Sequence, residues 1–543
     1  MSPNPPSFIK LVGESTENFY QLGLKDRDRH KNLLHHATNI VATPWGGLNH
    51  VINESLKALI MTNLDRHREY KNKISAYAEG LGESPQTLAM AYAIPELMCF
   101  MNKWMPGVPV GLMGCSSLFT WDSKRDALVH GRILDFPFHG SFDQEERAVQ
   151  SQLDRGPKML SFHSSGFAFP SITTITQNGM SFALHQKFGS TFYAQGTPIF
   201  EIIFQMLQRC STRKEVIRFL KKQKSITTWA FYMGFKNGDI LSAELDGENF
   251  YYNEYTASPD KIQYFCNDRE KPKLNKADVI PYSFFTQNQM RRACFDKKLK
   301  VFKISHQKGY TTEHVLRLMG RAWEQEKVPS SQWLADPLTP SSLQTVAMLP
   351  GKEEAYFIPG KAPKFLNNEV IRYQDIFNQC SFASHKIKGK SNSQSYQKGL
   401  YHLMQAQVAL DLKDIHNPYH NIQLAIEYLE GLPLEKIALF YFYVLQYMNE
   451  THKKSLSQIY HLFKGLEGQL PEYLEDQRKL FIFRINKVLD RAQEIRMSDI
   501  QSRSLQRIFQ FESKLPLFVL HKMTRTLMVP RIDLYDILYP YVK

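Results

Sequence analysis

The 543 residues are 43% hydrophobic and 22% charged, the balance of an ordinary globular chain with room for roughly three domains of about 150 residues. A net charge of +14 favours anionic partners, but lysine and arginine are scattered, with small clusters only at Lys221–Lys222 and Arg291–Arg292, so no nucleic-acid partner is expected. Six cysteines (Cys99, Cys115, Cys210, Cys266, Cys294, Cys380) lie far apart with no C-x-x-C pair, which argues against a structural zinc site and a disulfide framework; neither metal nor cofactor is expected.

Met1 to Lys10 has prolines and no apolar run after a basic start, so no cleavable secretory signal is expected. Residues 1–114 read as mainly helical. Val51, Ile52, Leu56, Leu59 and Ile60 recur at helical spacing, Gly80 and Gly82 punctuate, and Ser84–Pro85 restarts a helix as cap and first residue. Strands with intervening helices follow over 115–385. Phe169 to Ala183 is rich in β-branched residues and breaks at Asn178–Gly179, a type I′ hairpin signal. Further hairpins turn at Asn237–Gly238–Asp239 and Asp246–Gly247, and amphipathic helices are predicted over Ile199 to Cys210 and Thr212 to Lys221.

Lys386 to Gln397 is polar and reads as a linker. Beyond it, residues 398–543 carry successive helical stripes, such as Leu400, Leu403, Met404 and Val408, and read as an all-helical, repeat-like domain. Its most apolar stretch, Ile437 to Met448, is too short to cross a bilayer, so no transmembrane helix is expected. The expected location is cytoplasmic, or outside after export without a cleavable signal. A protein partner is the expected use of the helical domain.

The residues that carry chemistry are Gly114–Cys115–Ser116–Ser117 and, shortly after, Gly131–Arg132–Ile133–Leu134–Asp135. Upstream stands Ala78–Glu79–Gly80–Leu81–Gly82; downstream come Gln177 to Ala183, Ala243 to Gly247, Phe265–Cys266–Asn267 and Gln344 to Gly360. In this order they resemble the linear-amide C–N hydrolases of the N-terminal-nucleophile superfamily, the family of acid ceramidase, N-acylethanolamine amidase, bile-salt hydrolase and the self-processing acyl-transferase of penicillin biosynthesis. The chain departs from that pattern at Ile133, where the family often has Asn, at Gln186, which stands for Asn, and at Asp268, where relatives often have His.

The resemblance implies an α+β fold, a four-layer αββα sandwich with Cys115 starting a central strand. It implies self-cleavage between Gly114 and Cys115, leaving residues 1–114 attached without a covalent bond. The implied activity is hydrolysis of a linear N-acyl amide, small or lipid-like, through a thioester on Cys115. An amine in place of water would make the same site an acyltransferase, and a non-catalytic scaffold is the reading from a different class.

Chemistry supports these assignments. A free thiol near pKa 8.5 ionises poorly at neutral pH, and Arg132 beside it would favour the thiolate. The α-amine released by cleavage, near pKa 8, can serve as the base. Asp135 is expected to hold that amine and Asn267 to donate to the oxyanion. Gln186, Asn178, Arg291 and Arg292 are carried as further oxyanion or substrate residues, the two arginines being indistinguishable by sequence. The competing readings are a surface ion pair for Arg132 and Asp135, a strand-end cap for Asn267, and surface or packing roles for His130, His139, His163 and His185.

Overall fold

Two large sheets organise the chain. The computed structural model describes residues 7–40, 46–104, 114–136, 138–170, 172–187, 191–267, 288–289, 291–297, 299–300, 309–321, 341–361, 364, 369–387, 392–414 and 416–539. The seven-stranded sheet runs in the order β11 (Gln263–Phe265), β2 (Gly114–Asp122), β3 (Ala127–Asp135), β12 (Ser342–Leu349), β13 (Glu354–Phe357), β14 (Glu369–Gln374), β15 (Ser381–Lys386). The eight-stranded sheet has the order β1 (Ser7–Gly13), β4 (Glu146–Leu153), β5 (Met159–Ser164), β6 (Thr173–Thr176), β7 (Met180–Gln186), β8 (Thr228–Phe235), β9 (Asp239–Asp246), β10 (Asn249–Thr256). Side chains alternate faces along a strand. Alternate residues of β2 and β3 (Ser117, Phe119, Leu128, His130) meet Ser181, His185, Ala230 and Tyr232 of β7 and β8 between the sheets.

The amino-terminal segment is helical as expected, with α1 (Ser15–Asp26), α2 (Lys31–Ile40), α3 (Gly46–Arg66), α4 (Arg68–Leu81) and α5 (Pro85–Trp104). Gly82 ends α4 in the left-handed conformation and Ser84 accepts the N–H of Thr87, as the punctuation predicts. The backbones of α1 and α4 touch at two glycines: a Cβ on Gly80 would lie 2.3 Å from the carbonyl of Tyr20. One element has no counterpart among the sequence expectations. Ser7–Gly13 is a strand paired in parallel with β4, Ser7 opposite Arg147. Its partner lies far away in sequence, so no local turn signal announces it. Helices α6 (Ile199–Arg209) and α7 (Arg213–Leu220) follow β7, the latter opened by a capping box from Thr212 and Glu215.

The Asn178–Gly179 hairpin forms, but not as a type I′ turn. Only Gly179 has a positive φ, of 87°, and its N–H bonds the carbonyl of Thr176. This is the three-residue loop with a glycine bulge, which needs one left-handed residue rather than two.

Past the short α8 (Thr312–Leu316), β15 ends at Lys386 and α9 opens at Gln394 under the Ser393 cap, so both ends of the predicted linker belong to regular elements. Helices α9 (Gln394–Asp411), α10 (Asn417–Tyr428), α11 (Glu435–Asn449), α12 (Lys453–Gly465), α13 (Glu472–Val488), α14 (Arg503–Lys514) and α15 (Leu517–Thr526) precede a hairpin of β16 (Val529–Arg531) and β17 (Asp536–Leu538). Leu400, Leu403, Phe440 and Phe481 from these helices join one core with Leu118, Val129 and Ile133 of the seven-stranded sheet. Burial of this kind stabilises by about 25 cal/mol per Å² of apolar area, so the helices and the sheet face stabilise each other. Among the described residues no helix is long and apolar enough to cross a membrane.

Candidate active site

Gly114 and Cys115 open β2, and Asp135 closes the adjacent antiparallel β3, with Gly114 opposite Asp135, Cys115 opposite Leu134 and Ser117 opposite Arg132. The register brings the dispersed motif together. Alternation then divides it: Cys115 and Arg132 belong to the face toward the other sheet, and Asp135, three residues after Arg132, to the opposite face.

On the inner face the Cys115 thiol is 1% exposed and lies 3.9 Å from the carbonyl of Leu184. Arg132, wholly buried, donates to that same carbonyl at 2.7 Å and to the carbonyl of Ile133 at 2.8 Å. Among the described residues no carboxylate forms an ion pair with Arg132, whose positive field at the sulfur is opposed by that of Asp135. Burial pushes the thiol up from its ordinary pKa; Arg132 pulls it back and Asp135 pushes it further up. The net direction is upward, so the sulfur carries its proton at neutral pH.

On the outer face Asp135 pairs with Arg291 at 3.0 Å and accepts from the hydroxyl of Ser342 at 2.5 Å. A Cβ on Gly114 would meet its carboxylate at 2.9 Å, which explains why glycine precedes the cysteine. Arg291 reaches on to Oδ1 of Asn267 at 3.2 Å and to Asn288 at 2.5 Å. The same Oδ1 accepts the backbone N–H of Cys115 at 2.7 Å, and Nδ2 of Asn267 donates to the carbonyl of Gln186 at 2.9 Å. An unbroken chain therefore runs Ser342–Asp135–Arg291–Asn267–Cys115 N.

Several sequence readings change at this point. Arg132 and Asp135 are buried and are not each other's partners, so the surface ion pair is excluded. Asn267 holds the backbone nitrogen of Cys115 through its oxygen, while the amide group expected at the oxyanion faces Gln186. Arg291 is the arginine that reaches Asp135, and Arg292 is exposed to solvent. Gln186 is adjacent, donating to the carbonyl of Pro95 at 2.7 Å. Asn178 is not part of the cluster: it bonds Ser211 in the turn before β7, about 25 Å from Gln186 at roughly 3.3 Å per residue. Asp268 lies outside the described residues. His130, His139, His163 and His185 are all buried, none on the surface. His185 and His130 flank Ser117 at 2.9 and 3.3 Å, and burial, reinforced by Arg132, holds both well below the ordinary imidazole pKa. They are neutral packing groups between the sheets.

Sequence reasoning missed Ser342, Asn288 and the Leu184 carbonyl. Asn288 precedes Arg291 by three residues, a helical neighbour spacing that carries a weak signal. A backbone carbonyl and a lone serine carry none.

No family profile matches the chain, and no curated protein does. Solved structures similar in part include the following three. An N-acylethanolamine-hydrolysing acid amidase ortholog from Caenorhabditis elegans is 14% identical over 44% of this chain and 93% of that one, with a TM-score of 0.30. A variant of the conjugated bile acid hydrolase from Clostridium perfringens is 11% identical over 51% and 98%, with a TM-score of 0.32. Penicillin V acylase from Agrobacterium tumefaciens is 13% identical over 51% and 94%, with a TM-score of 0.27.

Proposed function

We propose that this chain is a self-processing cysteine amidohydrolase that cleaves a linear N-acyl amide through a thioester. The observation that carries the reading is the grip on Cys115: its backbone nitrogen is held at 2.7 Å by Asn267, and the thiol of the same residue lies against a buried arginine. A cysteine held at both its nitrogen and its sulfur is arranged for chemistry that uses the two atoms together. In self-cleavage the sulfur attacks the Gly114 carbonyl carbon, the Gly114–Cys115 C–N bond breaks, and the thiol proton passes to the departing nitrogen. Water then hydrolyses the thioester, leaving a Gly114 carboxylate and a free Cys115.

In turnover the new α-amine, which ordinarily titrates at about 8, takes the thiol proton, and the thiolate attacks the substrate carbonyl. The proton goes to the departing amine, and water releases the acid. Asn267, fixed by Arg291 and through it by Asp135, orients the amine. The two sheets, with helices against them, fit a four-layer αββα plan in this reading, with residues 1–114 kept in place by the β1–β4 pairing and by the buried Asp26–Arg147 ion pair.

The test is the mass of the denatured protein. Pieces of 114 and 429 residues are expected (543 − 114 = 429), with Cys115→Ala remaining whole. A wild-type chain that stays intact while hydrolysing amides would overturn the self-processing mechanism. An intact chain without amidase activity would favour the scaffold.

A further inference from the structure

An apolar cavity of about 70 Å³ begins one strand away from the nucleophile. Leu134, which lines it, is the cross-strand partner of Cys115, so the two side chains neighbour each other on one face. Its outer wall is built by Leu33, Leu34 and Ala37 of α2 and by Phe138 and Phe142 of the loop after β3. At this size the cavity is less than half the roughly 150 Å³ that holds a benzene ring, so a long acyl chain enters only if a wall moves.

Both segments of that wall are pinned by the carboxy-terminal helices. His36, between the lining residues of α2, has Nε2 3.4 Å from Asp411 at the end of α9, and Nδ1 2.9 Å from Ser141 of the loop. Val408, one turn before Asp411, seats on Gly140, where an added Cβ would lie 3.1 Å from it. Arg531 pairs with both Asp411 and Asp533, and Asp533 lies 3.6 Å from His139. All five charged or titratable groups are at least nine-tenths buried. Breaking such a network is costly, and its members keep one geometry.

We propose that the carboxy-terminal helices clamp the outer wall of the acyl cavity, and that His36 and Asp411 are positioning residues that restrict the enzyme to short acyl groups. This rests on the amidohydrolase reading and adds the determinant of chain length. The helices are then part of the substrate site rather than a separate surface for a partner.

The experiment uses the full chain, wild type and Asp411→Asn, with N-butanoyl and N-palmitoyl amides of one chromogenic amine, and hydrogen exchange of peptides covering 31–40 and 138–145. The isosteric variant keeps the packing and weakens the ion pairs. Expected are faster exchange in both peptides and a rise of about tenfold or more in the palmitoyl-to-butanoyl ratio of kcat/KM, the scale set by burying two further methylenes. Unchanged exchange in a cooperatively melting variant, or an unchanged ratio, overturns the clamp. Should Asp411→Asn fail to fold, Val408→Ala, which leaves every ion pair in place, must shift both readouts in the same direction or the proposal fails. Wild-type protein inert toward both amides would sink the amidohydrolase reading, while the exchange measurement still decides whether the helices hold the wall.

Discussion

The side-chain oxygen of Asn267 accepts the backbone N–H of Cys115 at 2.7 Å and an N–H of Arg291 at 3.2 Å. Two donors meeting at one atom make that atom the amide oxygen, so chemistry sets the orientation of Asn267. The residue clamps the backbone nitrogen of Cys115, the atom that would serve as base in the proposed mechanism.

Replacement of Asn267 separates this role from that of an oxyanion donor. Asn267→Asp keeps an acceptor for Cys115 and Arg291, and Asn267→Ala keeps none. The aspartate variant is expected to self-cleave faster than the alanine variant, which loses about 10- to 100-fold, the scale of one charge-assisted hydrogen bond. Single-turnover processing, followed by mass, measures it; equal rates would remove the clamp.

Thiol ionisation gives a pH prediction. Burial raises the Cys115 pKa and Arg132 opposes it. The self-cleavage rate is therefore expected to climb with pH through the neutral range, and Arg132→Gln to slow it by about tenfold for each unit the thiol moves further up. A pH-independent rate in both proteins would contradict this.

Asp135 and Arg291 form a buried pair, 1% and 0% exposed, and neither can be removed without stranding the other. Asp135→Asn and Arg291→Gln are each expected to cut processing about 100-fold, and the double variant to do little further harm. Arg292→Ala, at an exposed position, is expected to process like the wild type. Strictly multiplicative losses in the double variant would mean the two act separately.

Glu96 supplies a stability test. Burial pushes its pKa up to about 8, although it accepts the N–H of Ile199 at 3.1 Å. A folded pKa above the unfolded one means the folded state binds more protons between the two, so this contribution to stability is present below about 4.5 and lost as pH rises toward about 8. Glu96→Gln retains an acceptor without titrating. Its unfolding free energy in urea is expected to match the wild type at acid pH and exceed it by a few kcal/mol near pH 9, each pKa unit counting about 1.4 kcal/mol. Parallel pH profiles for the two proteins would refute the assignment.

The chain by itself determined the local events. Gly82 and Ser84 stop and restart helices because a left-handed cap and a hydroxyl acceptor are needed there, and Gly179 turns a strand because one residue must have positive φ. The Gly114–Cys115 pair and the Arg132–Asp135 spacing marked the strands of the candidate site, since a thiol and its charged neighbours are side-chain chemistry written in the residues. Tertiary structure decided everything that depends on which face a side chain takes and what arrives from far along the chain. It placed Arg132 by the sulfur and Asp135 on the opposite face, chose Arg291 over Arg292, turned the oxygen of Asn267 toward Cys115, and recruited Ser342 and a backbone carbonyl that carry no signature. It also brought Asp411 to His36 across 375 residues, a contact fixed by the burial of a sheet face under helices and invisible to any local pattern.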